Sequence, residues 1–595
     1  MSNSRLRSRL VDESVFAGTV RTVAPTGTAS DAANIQAALN EMAGVGEVRL
    51  KPGTFTLSSK LDLSGLSNLI VSCHPNTSLV SSLANGTEQT NSPIYSTTTT
   101  GASANVSVNI TVGSTRIDID QTSSFPVGTT IVVGAGNRFA YYTVKARSAS
   151  SGAGYLTVER PILWAFTTSD DVFVVSSISR AIRIYGNGAS ISGTGDRAIE
   201  LTGVQDCLVE GFRIDASSGF GGIVASFDIG GLRNTFRDVH ILGGYDALGG
   251  LALESNEGSL IDHCSVTKAT ATGTRPGIFL ADDMDCHVRH SRSESNAVGM
   301  EFNSGGSPGE GSKRSSAFGC LFASNLLHGM QILNGSAEVQ VESTQCRWNA
   351  GNGVYITNSA TGVQLVNVNA SDNTGNGVQV AAGSSASVVN GVLKNNGACG
   401  VDSGGDFRAL GCDIGNNLVS SGIMLTGAAN GQILGCKLAA RSDATWSPAL
   451  TMSSTGTMLV DGCAFDLGGG GTKVAIEHNA AGTVQVSNSK IVVAGSHGYY
   501  TTLETAKLRR GANVDFSLAT TPYTTQVANF GSATLVGGTV TVANTLINAT
   551  DRLKLTKRTA GGTEGYPRIS ALTAATSFVI TSSSGTDTST FEWEF

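Results

Sequence analysis

The stretch Asn349–Gly353, with the sequence Asn-Ala-Gly-Asn-Gly, returns as Asn373–Gly377, with the sequence Asn-Thr-Gly-Asn-Gly. In both copies an apolar residue follows the last glycine, Val354 in the first and Val378 in the second. The same Gly-apolar pair recurs every 22 to 30 residues through much of the chain. A period of this length is typical of proteins in which repeated units stack along one axis. The pairs begin at Gly222, Gly250, Gly277, Gly299, Gly329, Gly353, Gly377, Gly400 and Gly422.

A second phrase, six residues long and apolar at both ends, lies between successive Gly-apolar pairs. Examples are Val209–Ile214, Ile261–Val266 and Ile433–Leu438. Each repeat therefore carries at least two short strands joined by Gly and Asn turns. The phrase of leucine-rich repeats and the Trp-Asp signature of propeller blades are both missing. The pattern predicts an all-β fold, a parallel β-helix in which one repeat forms one coil.

Composition narrows the possible functions. Charged residues make up only 14% of the 595 residues, whereas hydrophobic residues at 40% are enough for a large core and exclude global disorder. The net charge of -7 argues against a nucleic-acid surface, which needs a basic stripe. No apolar run approaches the roughly 18 residues of a membrane span, and no apolar stretch follows the polar N-terminus. We therefore expect no nucleic-acid partner, no membrane insertion and no secretory signal.

The chain has ten cysteines, and six of them are predicted to share one inward position of the second phrase. No Cys-x-x-Cys pair is present, so neither a disulfide framework nor a metal site is favoured. We expect compact, buried, free thiols stacked along the coil axis. The six are Cys264, Cys320, Cys346, Cys412, Cys436 and Cys463.

A resemblance to a known family begins near the N-terminus. The runs Asp31–Leu39 and Gly44–Phe55 resemble the opening of pectate-lyase-like β-helix proteins, a phrase common in phage tailspikes and polygalacturonase-like enzymes. The resemblance implies a right-handed parallel β-helix whose first coil is covered by a helix. Ser30 is the expected N-cap of that helix. Three apolar residues share its predicted buried face: Ile35, Leu39 and Met42.

The C-terminal stretch resembles the compact β-domain that ends many phage tail fibres and spikes. The resemblance rests on Ala533–Val542, Gly561–Gly565, Ser577–Ile580 and Asp587–Thr590. In those proteins the domain serves trimer assembly or terminal binding, so the resemblance implies a homotrimer. The leading residues resemble the short peptide by which such spikes attach to the virion tail or baseplate.

Strands with Gly turns interrupt the coil pattern at about residues 103–178 and predict a small antiparallel insert. The predicted division is a virion-anchoring segment at 1–25, a capping helix with the first coils at 26–102, the insert at 103–178, the main β-helix at 179–510 and a C-terminal trimerisation or binding β-domain at 511–595.

Charge is concentrated on a few coils: residues 251–300 carry 11 charged side chains, and residues 351–400 carry two. Strand alternation predicts that Glu254 and Glu301 point outward two coils apart, with backbones roughly 10 Å from each other. Asp282 and Asp283 would lean between them. Paired carboxylates are the acid and base of glycosidases, and crowding raises one pKa, so we predict these four as catalytic. A solvated acidic face, turn capping, or a cation bound by the Asp282–Asp285 loop are open alternatives.

Six basic residues form the predicted substrate-binding set. Anionic sugars could be held there by charge-assisted hydrogen bonds. A lyase would need a base beside a cation, and His290 with Arg289 or Arg292 could serve. The alternative is salt bridging to Asp238, Asp262 and Glu294. Arg213, His240 and Arg292 are predicted to share one outward position, Arg237 and Arg289 another, with His290 close by.

The resemblance implies a phage tailspike in the virion tail that binds host surface polysaccharide, either O-antigen or capsule. It also implies cleavage, by an endo-glycosidase or a polysaccharide lyase. A non-catalytic adhesin and a cellular polysaccharide enzyme are the alternatives. The characteristic polygalacturonase phrases are absent as a set, so residue roles are not transferred from that family. We expect no cofactor and no metal.

Overall fold

The computed structural model describes residues 19–44, 46–84, 91–135, 138–216, 221–225, 230–243, 249–268, 276–304, 311–418, 421–441, 446–468, 472–501, 507–523, 530–544 and 547–595. Most of the predicted virion-anchoring segment, residues 1–18, lies outside these ranges. Contacts divide the chain into two compact units, Met1–Thr344 and Gln345–Phe595.

The first unit is a parallel β-solenoid whose coils each contribute a strand to three sheets, here called A, B and C. Sheet A contains Val20–Val23, Glu47–Leu50, Ser67–Cys73, Arg180–Tyr185, Leu208–Glu210, Thr235–Arg237, Leu260–Asp262, His287–Arg289, Ser316–Phe318 and Gln340–Glu342. Sheet B contains Gly53–Leu57, Thr77–Ser82, Ser190–Thr194, Arg213–Ala216, His240–Gly243, Ser265–Thr267, Arg292–Glu294 and Leu321–Ala323. Sheet C contains Leu61–Asp62, Ile94–Ser96, Arg197–Leu201, Gly221–Ala225, Leu251–Glu254, Pro276–Ala281, Val298–Asn303 and Met330–Ile332, and a two-stranded sheet joins Gly231–Leu232 to Asn256–Glu257.

The interior of the solenoid is built from columns of identical register. In sheet B, Ile214 pairs with Ile241, and Ile241 pairs with Val266 of the next coil, so apolar side chains stack directly above one another. All three are buried. Because strand side chains alternate between faces, the residues on either side of each column member point outward. The candidate functional side chains lie at these outward-facing positions.

The predicted helix is present at Ser30–Met42, and Ile35, Leu39 and Met42 are buried as expected. The expected N-cap at Ser30 is wrong, because Ser30 is the first helical residue and no side chain caps the helix. The Asp31 carboxylate instead accepts hydrogen bonds from the backbone N–H groups of Thr26, at 2.7 Å, and Thr56, at 2.9 Å. It therefore ties the loop before the helix to the first coil.

A compact antiparallel body interrupts the solenoid. Its buried core also includes Met284 of a neighbouring coil. A bidentate ion pair joins Arg160 to Glu257, with both N–O distances at 2.6 Å, and the Lys313 ammonium lies 4.7 Å from the Trp164 ring centroid. These contacts attach the body to the coils that carry the acidic residues. Its strands are Thr99–Asn105, Arg116–Ile119, Thr130–Ala135, Arg138–Arg147, Gly154–Val158 and Asp171–Ser177.

The second unit is also a three-sheeted parallel solenoid. Its first sheet contains Val363–Val366, Ser385–Val389, Asp406–Leu410, Gly431–Leu434, Thr457–Asp461, Thr483–Ser487 and Lys507–Arg510. The second contains Val392–Lys394, Asp413–Gly415, Lys437–Ala439, Ala464–Asp466 and Lys490–Val493, with Gln345–Arg347 connected through a bridge at Asn369. The third contains Val354–Ile356, Val378–Val380, Val401–Ser403, Ile423–Gly427, Trp446–Ser454, Thr472–His478, Gly495–Thr501 and Ala519–Tyr523.

The repeated Asn-x-Gly-Asn-Gly stretch explains how these coils close. The Asn373 side-chain oxygen accepts the Asn349 backbone N–H at 3.1 Å, and Asn396 does the same for Asn373. This buried ladder satisfies the polar groups of the turn. A Cβ at Gly353 would lie 2.6 Å from the carbonyl oxygen of Gly377, so the last glycine is needed for close approach of successive coils.

The chain ends in two three-stranded antiparallel sheets around a small core that includes Phe578, Phe591 and Trp593. Val536 and Tyr566 are 77% and 86% exposed. The last parallel strand, Ala519–Tyr523, precedes this domain, so solenoid pairing continues beyond the predicted boundary at 510. The six strands are Phe530–Thr534, Thr539–Ala543, Lys554–Thr559, Pro567–Thr573, Ser577–Ser582 and Thr590–Glu594.

None of the ten cysteines, all of which lie in the described ranges, forms a disulfide, and all ten are buried. Burial raises the pKa of Cys73 and of Cys264 to about 12. The shared inward position is wrong for Cys346, because Cys320 is paired with Thr344, two residues earlier. Among the described residues, no helix is long and apolar enough to cross a membrane.

Candidate functional site

The four predicted catalytic carboxylates do not form an exposed pair. Glu254 is 6% exposed, Asp282 4% and Asp283 0%, so the expectation of solvent-facing side chains is wrong for these three. Glu301 is partly buried. Two physical reasons apply. Asp282 has φ 52°, and this left-handed turn redirects the next side chain, that of Asp283. Glu254 keeps its outward place in the strand, but this face of sheet C is itself covered, since Ala252, Phe279 and Ala281 are buried as well.

Asp283 points into the solenoid. Its Oδ1 accepts the Asn256 backbone N–H at 2.6 Å, and its buried Oδ2 has no hydrogen-bond partner among the residues that the structure describes. Met284 N–H donates to the Asn256 carbonyl and Lys313 N–H to the Asp283 carbonyl, so Asn256 and Asp283 are equivalent members of one internal ladder. Burial, together with the nearby Asp282 and Glu254 carboxylates, raises the pKa of Asp283 well above its usual value. Asp283 is therefore a buried residue of the solenoid interior.

The register also separates Glu254 from Glu301. Glu254 pairs with Ala281 in the next strand, whereas Glu301 pairs with Phe279, two residues earlier. The offset of about 7 Å along the strand is at right angles to the two-coil separation of roughly 10 Å, so the two backbone positions are about 12 Å apart. The two carboxylates therefore lie farther apart than the sequence pattern suggested.

The basic residues, in contrast, form an outward-facing array on sheets A and B. On sheet B, Arg213 pairs with His240, His240 with Ser265 and Ser265 with Arg292. The predicted shared position of Arg213, His240 and Arg292 is therefore confirmed. His240 Nδ1 lies 2.7 Å from the Ser265 hydroxyl oxygen. The other ring nitrogen, Nε2, takes no part in this contact.

The corresponding column of sheet A runs through Glu210, Arg237, Asp262, Arg289 and Phe318. Arg237 and Arg289 share a position as predicted, and Asp262 separates them. Arg237 lies 3.5 Å from Asp262 and 3.7 Å from Glu210, so the predicted alternative of salt bridging holds for this arginine.

The turn between the two sheets carries a third outward column, which contains Asp238, His263 and His290 on successive coils. His263 Nδ1 is 2.9 Å and His290 Nδ1 3.3 Å from the same oxygen, Asp262 Oδ1. The two imidazole rings lie side by side with centroids 4.8 Å apart, and Phe318 packs edge-on against His290. The centre of the array is therefore a carboxylate shared by two exposed histidines.

Two neighbouring cavities open over this array and both reach His290. One of about 300 Å³ is lined by Arg213, Asp238, His240 and His263. The other, of about 420 Å³, is lined by residues that include Arg289, Phe318 and Glu342. We call this surface the basic groove.

The charges of the basic groove are only partly neutralised. Arg292 forms an ion pair with Glu294, as the sequence alternative allowed. Arg213 and Arg289 are exposed, and neither forms an ion pair with any residue that the structure describes. These two guanidinium groups are the best placed to receive an external anion.

The sequence interpretation gave no role to His263 and treated Asp262 only as a possible counterion. The signal was present in the alignment of the second phrase. When Arg237–His240, Asp262–Ser265 and Arg289–Arg292 are written beneath one another, Asp238, His263 and His290 fall in one column.

Comparison with known proteins identifies the class. Three overlapping matches to the sequence model of a family described as "Right handed beta helix region", at residues 180–345, 301–393 and 352–510, together cover more than half of the chain. The protein therefore belongs to the right-handed parallel β-helix family, and the predicted fold class is confirmed. Residues 527–595 match a second family, described as "K1 capsule-specific polysaccharide lyase, C-terminal domain".

Solved structures with a similar fold include two phage tailspikes. The tailspike gp49 of Pseudomonas phage LKA1 is 13% identical with a TM-score of 0.47, over 94% of this chain and 91% of that one. The gp54 tailspike of Acinetobacter baumannii bacteriophage AP22, in complex with capsular saccharide, is 10% identical with a TM-score of 0.44, over 94% and 92%. A comparison with curated proteins found no significant match.

Proposed function

We propose that this protein is a phage tailspike that binds an acidic surface polysaccharide of the host in the basic groove and depolymerises it. The observation that carries the proposal is the pair of exposed, unneutralised arginines, Arg213 and Arg289, on either side of the histidine cluster. The match of residues 527–595 to the C-terminal domain of a capsule-specific lyase supports a capsule as the polysaccharide.

Binding follows from the chemistry of the array. Successive coils are about 4.8 Å apart, so Arg213 and Arg292, three coils from each other, span roughly 14 Å along the solenoid. An extended chain with repeated carboxylates can contact both. Guanidinium groups match carboxylates with two parallel hydrogen bonds, which favours uronic or sialic acids over neutral sugars.

Cleavage is proposed as β-elimination, in preference to hydrolysis by the buried carboxylates. In a uronic acid, which unlike a sialic acid carries a hydrogen on the carbon next to its carboxylate, that proton would pass to the Nε2 of His240, while Arg213 on the neighbouring strand neutralises the carboxylate. The electron pair of the broken C–H bond forms a C=C bond, and the glycosidic C–O bond on the next carbon breaks with its electron pair on the leaving sugar oxygen, which takes a proton from water. His290 beside Arg289 is the second candidate base.

Assembly and location are part of the same proposal. The protein would act as a homotrimer joined through the C-terminal sheets and would attach to the virion tail or baseplate through its N-terminal segment. The small core of the C-terminal domain and its exposed Tyr566 and Val536 support contact with other copies.

The test is binding of acidic capsular polysaccharide to the full-length chain, with neutral dextran as the comparison ligand. We expect Arg213→Gln and Arg289→Gln each to weaken binding at least tenfold. Arg509→Gln, which removes an exposed arginine from the second unit, is the matched control and should bind as wild type. Equal binding by all variants would contradict the groove, whereas binding without any cleavage would identify a non-catalytic adhesin.

A further inference from the structure

The histidine cluster in the basic groove has the composition of a metal site. Asp262 Oδ1, His263 Nδ1 and His290 Nδ1 all lie within 4.8 Å of one another. A tetrahedral zinc ion with ligand bonds of about 2.0 to 2.1 Å requires ligand atoms about 3.3 Å apart. The distances from Asp262 Oδ1 to the two nitrogens, 2.9 and 3.3 Å, are close to that value. The two Nδ1 atoms lie within 4.8 Å of each other, and rotation of their exposed side chains sets this third distance.

We propose that Asp262, His263 and His290 bind one divalent transition-metal ion, with Zn²⁺ as the first ion to test. Two imidazole nitrogens and one carboxylate oxygen are a common protein ligand set for this ion and leave its fourth position open. That position faces solvent, because both histidine side chains are exposed. A water molecule or a carboxylate of the bound polysaccharide can occupy it.

The backbone supports a dedicated role for the two histidines. His263 and His290 have φ values of 54° and 47°, in the left-handed region that favours glycine. Glycine with positive φ occupies this turn column on the coil after His290, as Gly319, and two coils before His263, as Gly211, whereas the coil directly before His263 carries Asp238 with φ 50°. Two successive histidines are thus kept at positions where glycine is the less strained choice.

Arg237 supplies the outer contact of the site. Its Nε lies 3.5 Å from Asp262 Oδ2, which directs the other carboxylate oxygen toward the histidines. A metal ion bound to His290 Nδ1 would occupy the lone pair with which this nitrogen could accept a proton. The site therefore favours His240 as the base of the proposed elimination, although metal binding itself does not depend on that reaction.

The experiment uses the full-length chain, dialysed against a chelator and titrated with Zn²⁺ alone in the absence of polysaccharide. Calorimetry and elemental analysis should give about one zinc ion per chain. Substituting Co²⁺ should give the visible absorption of a tetrahedral nitrogen–oxygen site. His263→Asn and His290→Asn retain a residue that tolerates positive φ and should each reduce affinity at least tenfold.

His74→Ala is the matched control, since it removes an exposed imidazole far from Asp262 in sequence and should leave zinc affinity unchanged. Unchanged thermal unfolding of the asparagine variants would show that they fold. Absence of zinc binding, or binding that either asparagine variant leaves intact, would overturn the three-ligand site. Failure of polysaccharide binding would leave this result unaffected, so the two proposals are tested separately.

Discussion

Asp283 accepts a 2.6 Å hydrogen bond from the backbone N–H of Asn256, its equivalent one coil away, inside the solenoid. A carboxyl group thus occupies a place that an amide fills in the neighbouring coil. The Asn256 Nδ2 donates to the Glu254 carbonyl, two residues earlier, at 3.0 Å. An asparagine at 283 would fit the same ladder without a titratable group.

We predict that Asp283→Asn stabilises the protein at neutral and alkaline pH. The folded-state pKa of Asp283 is raised, so its contribution to stability is present below the unfolded pKa of about 3.9 and is lost as pH rises through the folded pKa. At a pH above both the folded and the unfolded pKa, each unit of difference between these two pKa values lowers the free energy of unfolding by about 1.4 kcal/mol. The variant should melt higher than wild type at pH 8, with a smaller difference at pH 5.

The control for this prediction is Asp238→Asn, which changes an exposed aspartate in the same unit and should not alter the pH dependence. If the wild type and Asp283→Asn show identical melting temperatures at both pH values, the placement of an uncharged interior carboxyl is wrong.

The cysteines give a second prediction. Because all ten thiols are buried and none is in a disulfide, a thiol reagent should label almost none in the native protein and all ten in denaturant without reductant. Recovery of clearly fewer than ten after denaturation would mean that disulfides form. Rapid labelling of the native chain would mean that the inward columns are misplaced.

The C-terminal domain gives the third prediction. We expect the full chain to sediment as a trimer that resists SDS without heating, and deletion of the residues after Gly531 should abolish this resistance. The physical reason is that two small sheets with largely exposed strands bury little surface within one chain. A monomeric sedimentation coefficient for the full chain would refute the assembly.

The groove histidines give the fourth prediction. His240→Gln should lower the cleavage rate by about 10² to 10⁴ while polysaccharide binding is retained, because a general base contributes rate enhancements of that size. His74→Gln, at an exposed histidine outside the basic groove whose Nδ1 accepts the Asn76 backbone N–H at 3.1 Å, is the control. If His290→Gln is inactive and His240→Gln is not, the base has been assigned to the wrong ring.

Much of the fold and half of the candidate site followed from periodicity. The spacing of the glycines defined the coils, and the alternation within the second phrase placed Arg213, His240 and Arg292 in one row. Alternation holds only inside strands. Asp283 follows the left-handed turn at Asp282, and Glu254 lies on an outward sheet face that is itself covered, so neither burial was predictable from the pattern.

Register across coils was the other limit. The sequence shows how many coils separate Glu254 from Glu301, but their offset within the strand depends on turn lengths that differ between repeats. The contacts of the Asp262 carboxylate also depend on how neighbouring coils are aligned, since it lies beside His263 of its own coil and His290 of the next coil.

The most direct measurement for the proposed function follows an acidic capsular polysaccharide during incubation with the full chain. Its length is monitored by size exclusion, and the new C=C bond conjugated to a carboxylate is monitored by ultraviolet absorbance. The account predicts that the wild type shortens the polymer and that absorbance rises in proportion, with both effects lost in His240→Gln. Shortening without a rise in absorbance would indicate hydrolysis and would contradict the proposed elimination in the basic groove.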